Sequence, residues 1–292
     1  MRWTVVRGRC AEMAGGRERA ERKKMESSGS GAFFLATLIL WAVSVLFEIV
    51  FNGRRELLVV LWGCLFFQGA NWILRLTVSK DPLFVNTCVS LLHSSFSSLF
   101  VVLILANEWM KKGIKEMFEH KQLVDGLWSG AYSALCFSCG YFAYDQWDML
   151  HYRLYSGWIP SILLHHLVLL ICFTLALYRN ITINYLILSL VCELHSIFLH
   201  LRKIRRMSGV RDGKMRVVQL EWVFNWLAFF TARLVCHVLI TYKLIRDAHK
   251  FERGVALPLA LTGMAGMNLL NFFLGRDLLK AYRREQAQVH GN

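Results

Sequence analysis

The chain has 292 residues, 55% of them hydrophobic and 18% charged, with a mean hydropathy of +0.40. Soluble domains carry about 25% charged and about 45–50% apolar residues, so the composition excludes an ordinary soluble domain, a disordered chain, a collagen-like chain and a disulfide-rich mini-protein. Lys and Arg number 34 against 20 Asp and Glu, a net charge of +14; where those charges lie decides between nucleic acid and membrane as their partner.

Residues 1–31 hold eight basic and four acidic positions and no cleavage-site pattern. They read as a disordered cytosolic tail and not as a signal peptide. Crossing a hydrocarbon core takes about 20 mostly apolar helical residues. Eight such runs follow, at 32–51, 57–74, 84–106, 126–144, 160–178, 181–199, 222–243 and 256–275. The second and fourth are the weakest, being short or rich in Gly, Ser and Tyr. Pro82, Pro160 and Pro258 each stand near the start of a run, where a helix tolerates proline. The fold class is therefore all-α, a polytopic transmembrane bundle of six to eight helices over residues 32–285, followed by a short C-terminal cytosolic tail, 286–292.

With the N-terminus inside, 22 of the Lys and Arg residues fall in cytosolic segments and 11 in outer ones, with Arg233 inside a run. The positive-inside rule places both termini in the cytosol, and the tail supplies much of that bias. The densest basic segment is Arg202, Lys203, Arg205, Arg206, Arg211, Lys214 and Arg216. It is too short to be a nucleic-acid-binding domain, so no nucleic-acid partner is expected. Its expected roles are helix orientation and attraction to anionic headgroups.

Seven of the eight cysteines lie in apolar runs, where free Cys packs as a small hydrophobe; Cys10 is in the tail. Cys136 and Cys139 spell CxxC but lack the second ligand pair of a zinc site and the strand-to-helix context of a redox site. No HExxH or HxxxH is present in the runs, and neither a metal nor a cofactor is expected.

An ionisable group at membrane depth is costly and marks a functional candidate. The runs contain His93, Asp145 and Asp148 three residues apart, His165 and His166, Glu193, His195 and His200, Asn225, Arg233 and His237, and Asn268 and Asn271. Under the orientation above, Asp145/Asp148, His165/His166 and Glu193/His195 all fall in the cytoplasmic half, with His165 about 8 Å from the start of its run. Such a cluster can act catalytically, with a His as base on a lipid hydroxyl or amine and a carboxylate orienting it. It can equally act as interhelical hydrogen-bonding contacts. The two rings of the HH pair point about 100° apart on a helix. Arg233 has two simple partners, Glu193 or a lipid phosphate.

The segments FSCGYFAYDQWDMLHY, GWIPSILLHHLVLL and LVCELHSIFLHLRKIRRMSG resemble the TLC-domain family over about residues 35–285. That family includes ceramide synthases, translocon-associated TRAM proteins and TLC domain-containing proteins implicated in phospholipid composition and membrane fluidity. The wording is similar to plant members of the last branch. Ceramide synthases carry an HH pair and, on the next helix, an HDxxD motif. Aligned without a gap, His165 and His166 fall on the HH pair and Glu193 on the first Asp, whereas Cys192 stands for the motif's His and Ser196 for its second Asp. His195 is two residues displaced and on another face. The resemblance thus implies regulation of membrane phospholipids through a pocket for a lipid or fatty acyl-CoA, and leans away from an enzyme. The pocket residues would be His165, His166, Glu193, Asp145, Asp148 and Arg233, with aromatics of runs four and five lining the acyl slot. A lipid acyltransferase using His165, His166 and Glu193 is one alternative; a translocon-associated, non-enzymatic protein is another. A homodimer is left open, and the plasma membrane is placed ahead of the endoplasmic reticulum as its location.

Overall fold

The computed structural model describes residues 29–155, 161–210, 213–252 and 254–290. The helices are α1 (Gly29–Val50), α2 (Leu58–Thr77), α3 (Pro82–Met117), the short α4 (His120–Val124), α5 (Ala131–His151), α6 (Ser161–Arg179), α7 (Ile183–Ser189), α8 (Glu193–Met207), α9 (Arg216–Ala228), α10 (Cys236–Arg246) and α11 (Ala256–His290). There is no strand among the described residues, and seven helices are long and apolar enough to cross a membrane. The chain is an all-α multi-pass bundle.

Two spans are compound. A 3-10 turn, Leu190–Cys192, joins α7 to α8, and a π-helical segment, Phe229–Val235, joins α9 to α10. Such interruptions inside a helix often mark functional positions, and here they flank Glu193 and contain Arg233.

The helix at the fourth run is α5, with 21 residues and a length of about 31 Å. It is not among the seven apolar spans because Asp145, Gln146 and Asp148 lower its hydropathy, and all three are buried. It packs between α2, α3, α6 and α7 as the centre of the bundle. Its start is later than expected because residues 126–130 form a loop pinned from outside. Asn184 accepts from the Trp128 N–H (3.1 Å) and donates to the carbonyls of Gln122 (2.6 Å) and Gly126 (3.0 Å). Asp145 and Asp148 lie inside this helix and not at its end.

Local chemistry sets the other boundaries. Pro82 opens α3 behind Asp81, whose side chain accepts the Leu83 N–H at 3.0 Å, a cap that satisfies one orphan donor. Gly113, with φ 74°, breaks α3 near its end. Arg54 reaches the C-terminus of α6, donating to the carbonyls of Leu177 (2.9 Å) and Tyr178, where unpaired carbonyls need donors. α1 begins at Gly29, inside the expected tail, and α11 runs to His290, past residue 285, because Asp277 to Glu285 is rich in helix-forming residues. Pro160 and Arg211, and most of the tail with Cys10, lie outside the described residues.

The basic segment is partly spent inside the protein. The buried Glu285 of α11 accepts from Arg202 (3.1 Å), Arg205 (3.4 Å), Arg206 and Trp222 Nε1 (2.8 Å). These three arginines of α8 therefore bind α11, with Arg206 still partly exposed. Toward the other ends of α10 and α11, buried Asp247 meets Lys243, Arg246 (3.5 Å), Lys250 (3.3 Å) and His120 (3.9 Å). Cys136 and Cys139 are buried and unbonded, with Cys139 Sγ 3.8 Å from Thr174 Oγ1, so CxxC is core packing.

Candidate functional site

The intramembrane polar residues form two networks on either side of α6. The first joins α2, α3, α5 and α6. The Asn86 amide donates to Asp145 Oδ1 (2.6 Å) and Asp148 Oδ2 (3.0 Å), bridging the two carboxylates. Asn71 donates to Asp148 Oδ1 (3.1 Å), and Arg75 anchors that amide through Nε at 2.7 Å. The Arg75 guanidinium lies 3.6 Å from Asp148 and stacks over Tyr152. His166 Nε2 is 3.5 Å from the free side of Asp145. Two carboxylates three residues apart on one face can be buried together only because amides and one guanidinium fill their lone pairs.

The second network joins α3, α8, the π segment and α11. Arg233 donates through Nε to His195 Nδ1 (2.9 Å), through Nη1 to Asn271 (3.3 Å), and through Nη2 to Ser196 (2.7 Å) and the Cys192 carbonyl (3.2 Å). Because Nδ1 of His195 accepts, its proton is on Nε2 and is donated to Asn225 Oδ1 at 3.0 Å. His195 is thereby a fixed neutral scaffold with no nitrogen to spare. The hydrogen-bond acceptors that Arg233 meets among the described residues are all neutral, and Glu193 lies within its electrostatic reach without being hydrogen-bonded to it. Glu193 instead accepts from Ser94 Oγ (2.7 Å), 3.8 Å from His93 Nδ1. His93 is fully buried and stacks on Tyr141 with centroids 3.7 Å apart.

The HH pair divides between the networks. His166 faces Asp145, whereas His165 is within electrostatic reach of Arg233 and His237. The buried Nδ1 atoms of both, together with His237 Nε2 and Asn271 Nδ2, have no hydrogen-bond partner among the described residues. The structure thus gathers His165, Arg233 and His237 on one side and Asp145, Asp148 and His166 on the other, with Glu193 on the α3 side of α8. Glu193 and His195 do face different neighbours, as their two-residue offset requires.

Asn71, Arg75 and Asn86 are site residues that the sequence reading missed. Their signal was present: Asn71 and Arg75 are in i, i+4 register, and Asn86 is a lone amide in an apolar run. Among the described residues no group of three His, Cys, Asp or Glu could hold a metal ion.

Beside the second network is an apolar cleft between α6, α7, α10 and α11, of about 840 Å³ including its open side. Aliphatic and sulfur side chains wall it, among them Cys172, Ile240, Leu259, Met264 and Met267. The cleft's one aromatic lining residue among the described residues is Tyr185 of α7; Tyr141, Phe142 and Tyr144 of α5 are packed in the core. Each wall of the cleft ends one turn from a polar group: Val168 from His165, Ser189 from the Cys192 carbonyl that Arg233 binds, Ile240 from His237 and Met267 from Asn271.

The TLC domain family model matches residues 83–280, more than half of the chain. The chain is similar to TLC domain-containing protein 2 of Danio rerio, 25% identical over 209 residues covering 62% of this chain and 81% of that protein. It is also similar to human TLC domain-containing protein 2, 29% identical over 73% of this chain and 77% of that one. TLC domain-containing protein 1 of Gallus gallus is 25% identical over 68% and 75% respectively. No solved structure matches it. A match that spans α3 through most of α11, and so holds nearly all of both polar networks, shows that the chain belongs to the TLC-domain family.

Proposed function

We propose that this multi-pass TLC-domain protein regulates the phospholipid composition, and hence the fluidity, of its membrane by holding one lipid or fatty acyl-CoA. The acyl chain lies in the cleft, and its polar end meets His165, His166, Glu193, Arg233 and the Asp145/Asp148 pair. The observation that carries this reading is that each of the four cleft walls ends one turn from a polar group, three of which keep an unpartnered nitrogen: His165, His237 and Asn271. Ligand sites are mostly apolar with a few convergent polar groups, and buried unpartnered donors and acceptors are costly enough to call for a partner. The partners are membrane lipids, and the plasma membrane is taken ahead of the endoplasmic reticulum.

A second reading rests on His166. With Nε2 toward Asp145, its buried and unpartnered Nδ1 is placed to act as a base in acyl transfer. One experiment addresses both. Cells lacking the protein are rescued with wild type or with His165→Ala/His166→Ala at matched level, and their phospholipid and sphingolipid acyl chains are profiled. Restoration by wild type alone supports a working lipid site; equal restoration by both makes the histidines structural and overturns the assignment. His166→Gln in purified protein then separates the readings, since binding survives loss of basicity and turnover does not.

A further inference from the structure

We propose that the inner, polar end of the cleft, between His237 of α10 and Asn271 of α11, binds the free hydroxyl of a neutral lipid whose chain runs along the cleft toward Arg179. The inference rests on the cleft being a lipid site and names the chemical class of the lipid's polar end.

α10 and α11 face each other across two rungs. His237 and Thr241 are in i, i+4 register on α10, and Asn268 and Asn271 in i, i+3 register on α11, so each pair lies along one helix face. The two helices pack as a hairpin, so the Thr241–Asn268 rung is followed by His237–Asn271. The first rung is closed: the Asn268 amide donates to Thr241 Oγ1 at 2.8 Å, and that hydroxyl donates to the His237 carbonyl at 2.7 Å. The second is open. His237 and Asn271 are 0% and 1% exposed, and His237 Nε2 and Asn271 Nδ2 have no hydrogen-bond partner among the described residues.

Arg233 fixes which of these two atoms donates and which accepts. A guanidinium only donates, so the Asn271 amide turns its oxygen to Arg233 Nη1 (3.3 Å) and leaves its NH2 free as a donor. A carbonyl only accepts, so His237 carries its proton on Nδ1, 2.8 Å from the Arg233 carbonyl, and Nε2 offers a lone pair. A second proton on that ring would put a cation one turn from Arg233, where like charges repel.

One free acceptor and one free donor select their ligand. A carboxylate, ester or thioester oxygen satisfies Asn271 but sets its lone pairs against His237, and an ammonium does the reverse. A hydroxyl donates to Nε2 and accepts from Nδ2, which removes the cost of both buried unpaired groups. Depth favours the same group. His237 stands about 14 Å from the charged Arg246 end of α10, near the middle of a hydrocarbon core of about 30 Å. A phosphate or carboxylate is costly there, a hydroxyl far less so.

The cleft sets the direction of the chain. Val168, Ile240 and Met267 line its inner end, and its walls continue to Arg179 on α6 and Val255 just before α11. A lipid held by its hydroxyl therefore carries its chain end toward Leu175 and Leu259, about 15 and 18 Å beyond His165 and Asn271.

The test uses the full chain in phosphatidylcholine nanodiscs doped with a lipid carrying a photoactivatable diazirine at its chain end. A long-chain alcohol, its methyl ether, the fatty acid of the same chain and a diacylglycerol form four arms. The expected result is labelling of peptides around Leu175 and Leu259, about fivefold stronger for the alcohol or the diacylglycerol than for the ether, the worth of one hydrogen bond. The stronger of those two identifies the source of the hydroxyl. His237→Phe, which keeps a ring without its nitrogens, lowers both to the level of the ether. Equal labelling by alcohol, diacylglycerol and ether in the unaltered protein overturns the proposal and leaves water as the partner of both groups; this comparison needs no variant to fold. Fatty-acid labelling at or above that of the alcohol overturns it in favour of an acid. A hydroxyl preference that survives in folded His237→Phe, or labelling around Val168 and Met267 instead, overturns the placement. Each of these outcomes leaves the cleft a lipid site, whereas no labelling of the cleft by any probe sinks the acyl-site reading as well.

Discussion

Gly63 of α2 and Gly140 of α5 meet backbone to backbone. A β-carbon on Gly63 would stand 2.8 Å from the Phe137 carbonyl oxygen, and one on Gly140 would stand 2.8 Å from the Cys64 nitrogen and 3.0 Å from the Gly63 carbonyl carbon. Neither obstacle is the end of a flexible side chain, so a methyl here must push the helices apart. Small residues allow this approach between membrane helices. Gly140→Ala should destabilise the protein by about 1–3 kcal/mol through overpacking, read as a lower Tm in detergent. Gly69→Ala on the same helix, which meets nothing within 4 Å, should leave Tm unchanged or slightly raised.

Removing Arg233 strands four acceptors at once. Arg233→Ala should cost about 1–3 kcal/mol for each buried acceptor left without a donor. Arg233→Lys keeps the charge but not the fork that reaches His195, Ser196 and Asn271 together, so it should recover only part of the loss. Thermal unfolding of the two variants in one lipid composition checks this, and full recovery by Lys would refute the role of the fork.

Asn86 is the hinge of the other network, because its amide alone joins Asp145 to Asp148. Asn86→Ala should cost about 1–3 kcal/mol for the acceptors left short of a donor. Asn86→Asp, nearly the same in shape, should be worse, since it adds a third carboxylate to a buried pair. Chemical unfolding in mixed micelles orders the variants; Asp tolerated better than Ala would contradict this account.

The Asp247 cluster gives a pH signature outside the spans. Burial raises its carboxyl pKa, but hydrogen bonds from Lys243 and Lys250 outweigh burial and hold it at about 2, below the ordinary 3.8. The groups facing it are Lys243 and Arg246 of α10, Lys250 just beyond, and His120 of α4. A depressed carboxylate stabilises the fold above its unfolded pKa, and that contribution is lost as pH falls toward the folded value. Local hydrogen exchange at residues 243–251 should therefore accelerate between about pH 4 and pH 2, and Asp247→Asn should flatten that part of the profile.

The helices were legible because uninterrupted apolar runs admit few other structures, and the division of the HH pair followed from 100° per residue. The partners were not. Nothing in the sequence ties Asn86 to Asp145, 59 positions away, or Arg233 to His195, 38 positions away. Sequence displays the charge of Arg233 but not the neutral acceptors that the fold brings to it at a π turn that no periodicity announced. The cleft was equally hidden, since Ala256, Ala260 and Gly263 on α11 read the same whether they face lipid chains or a slot.

Glu285 lies 79 to 83 positions after the arginines it binds. While the chain is being inserted, Arg202, Arg205 and Arg206 emerge long before their acid, so they count in full as orienting charges for the sixth and seventh runs. Once α11 docks, all three charges are tied to Glu285, with Arg202 and Arg205 largely covered and Arg206 still partly exposed. They therefore act at two separate times, first as a topology signal in a linear chain and later as an internal clasp, and a variant at Glu285 would impair the second duty while leaving the first untouched.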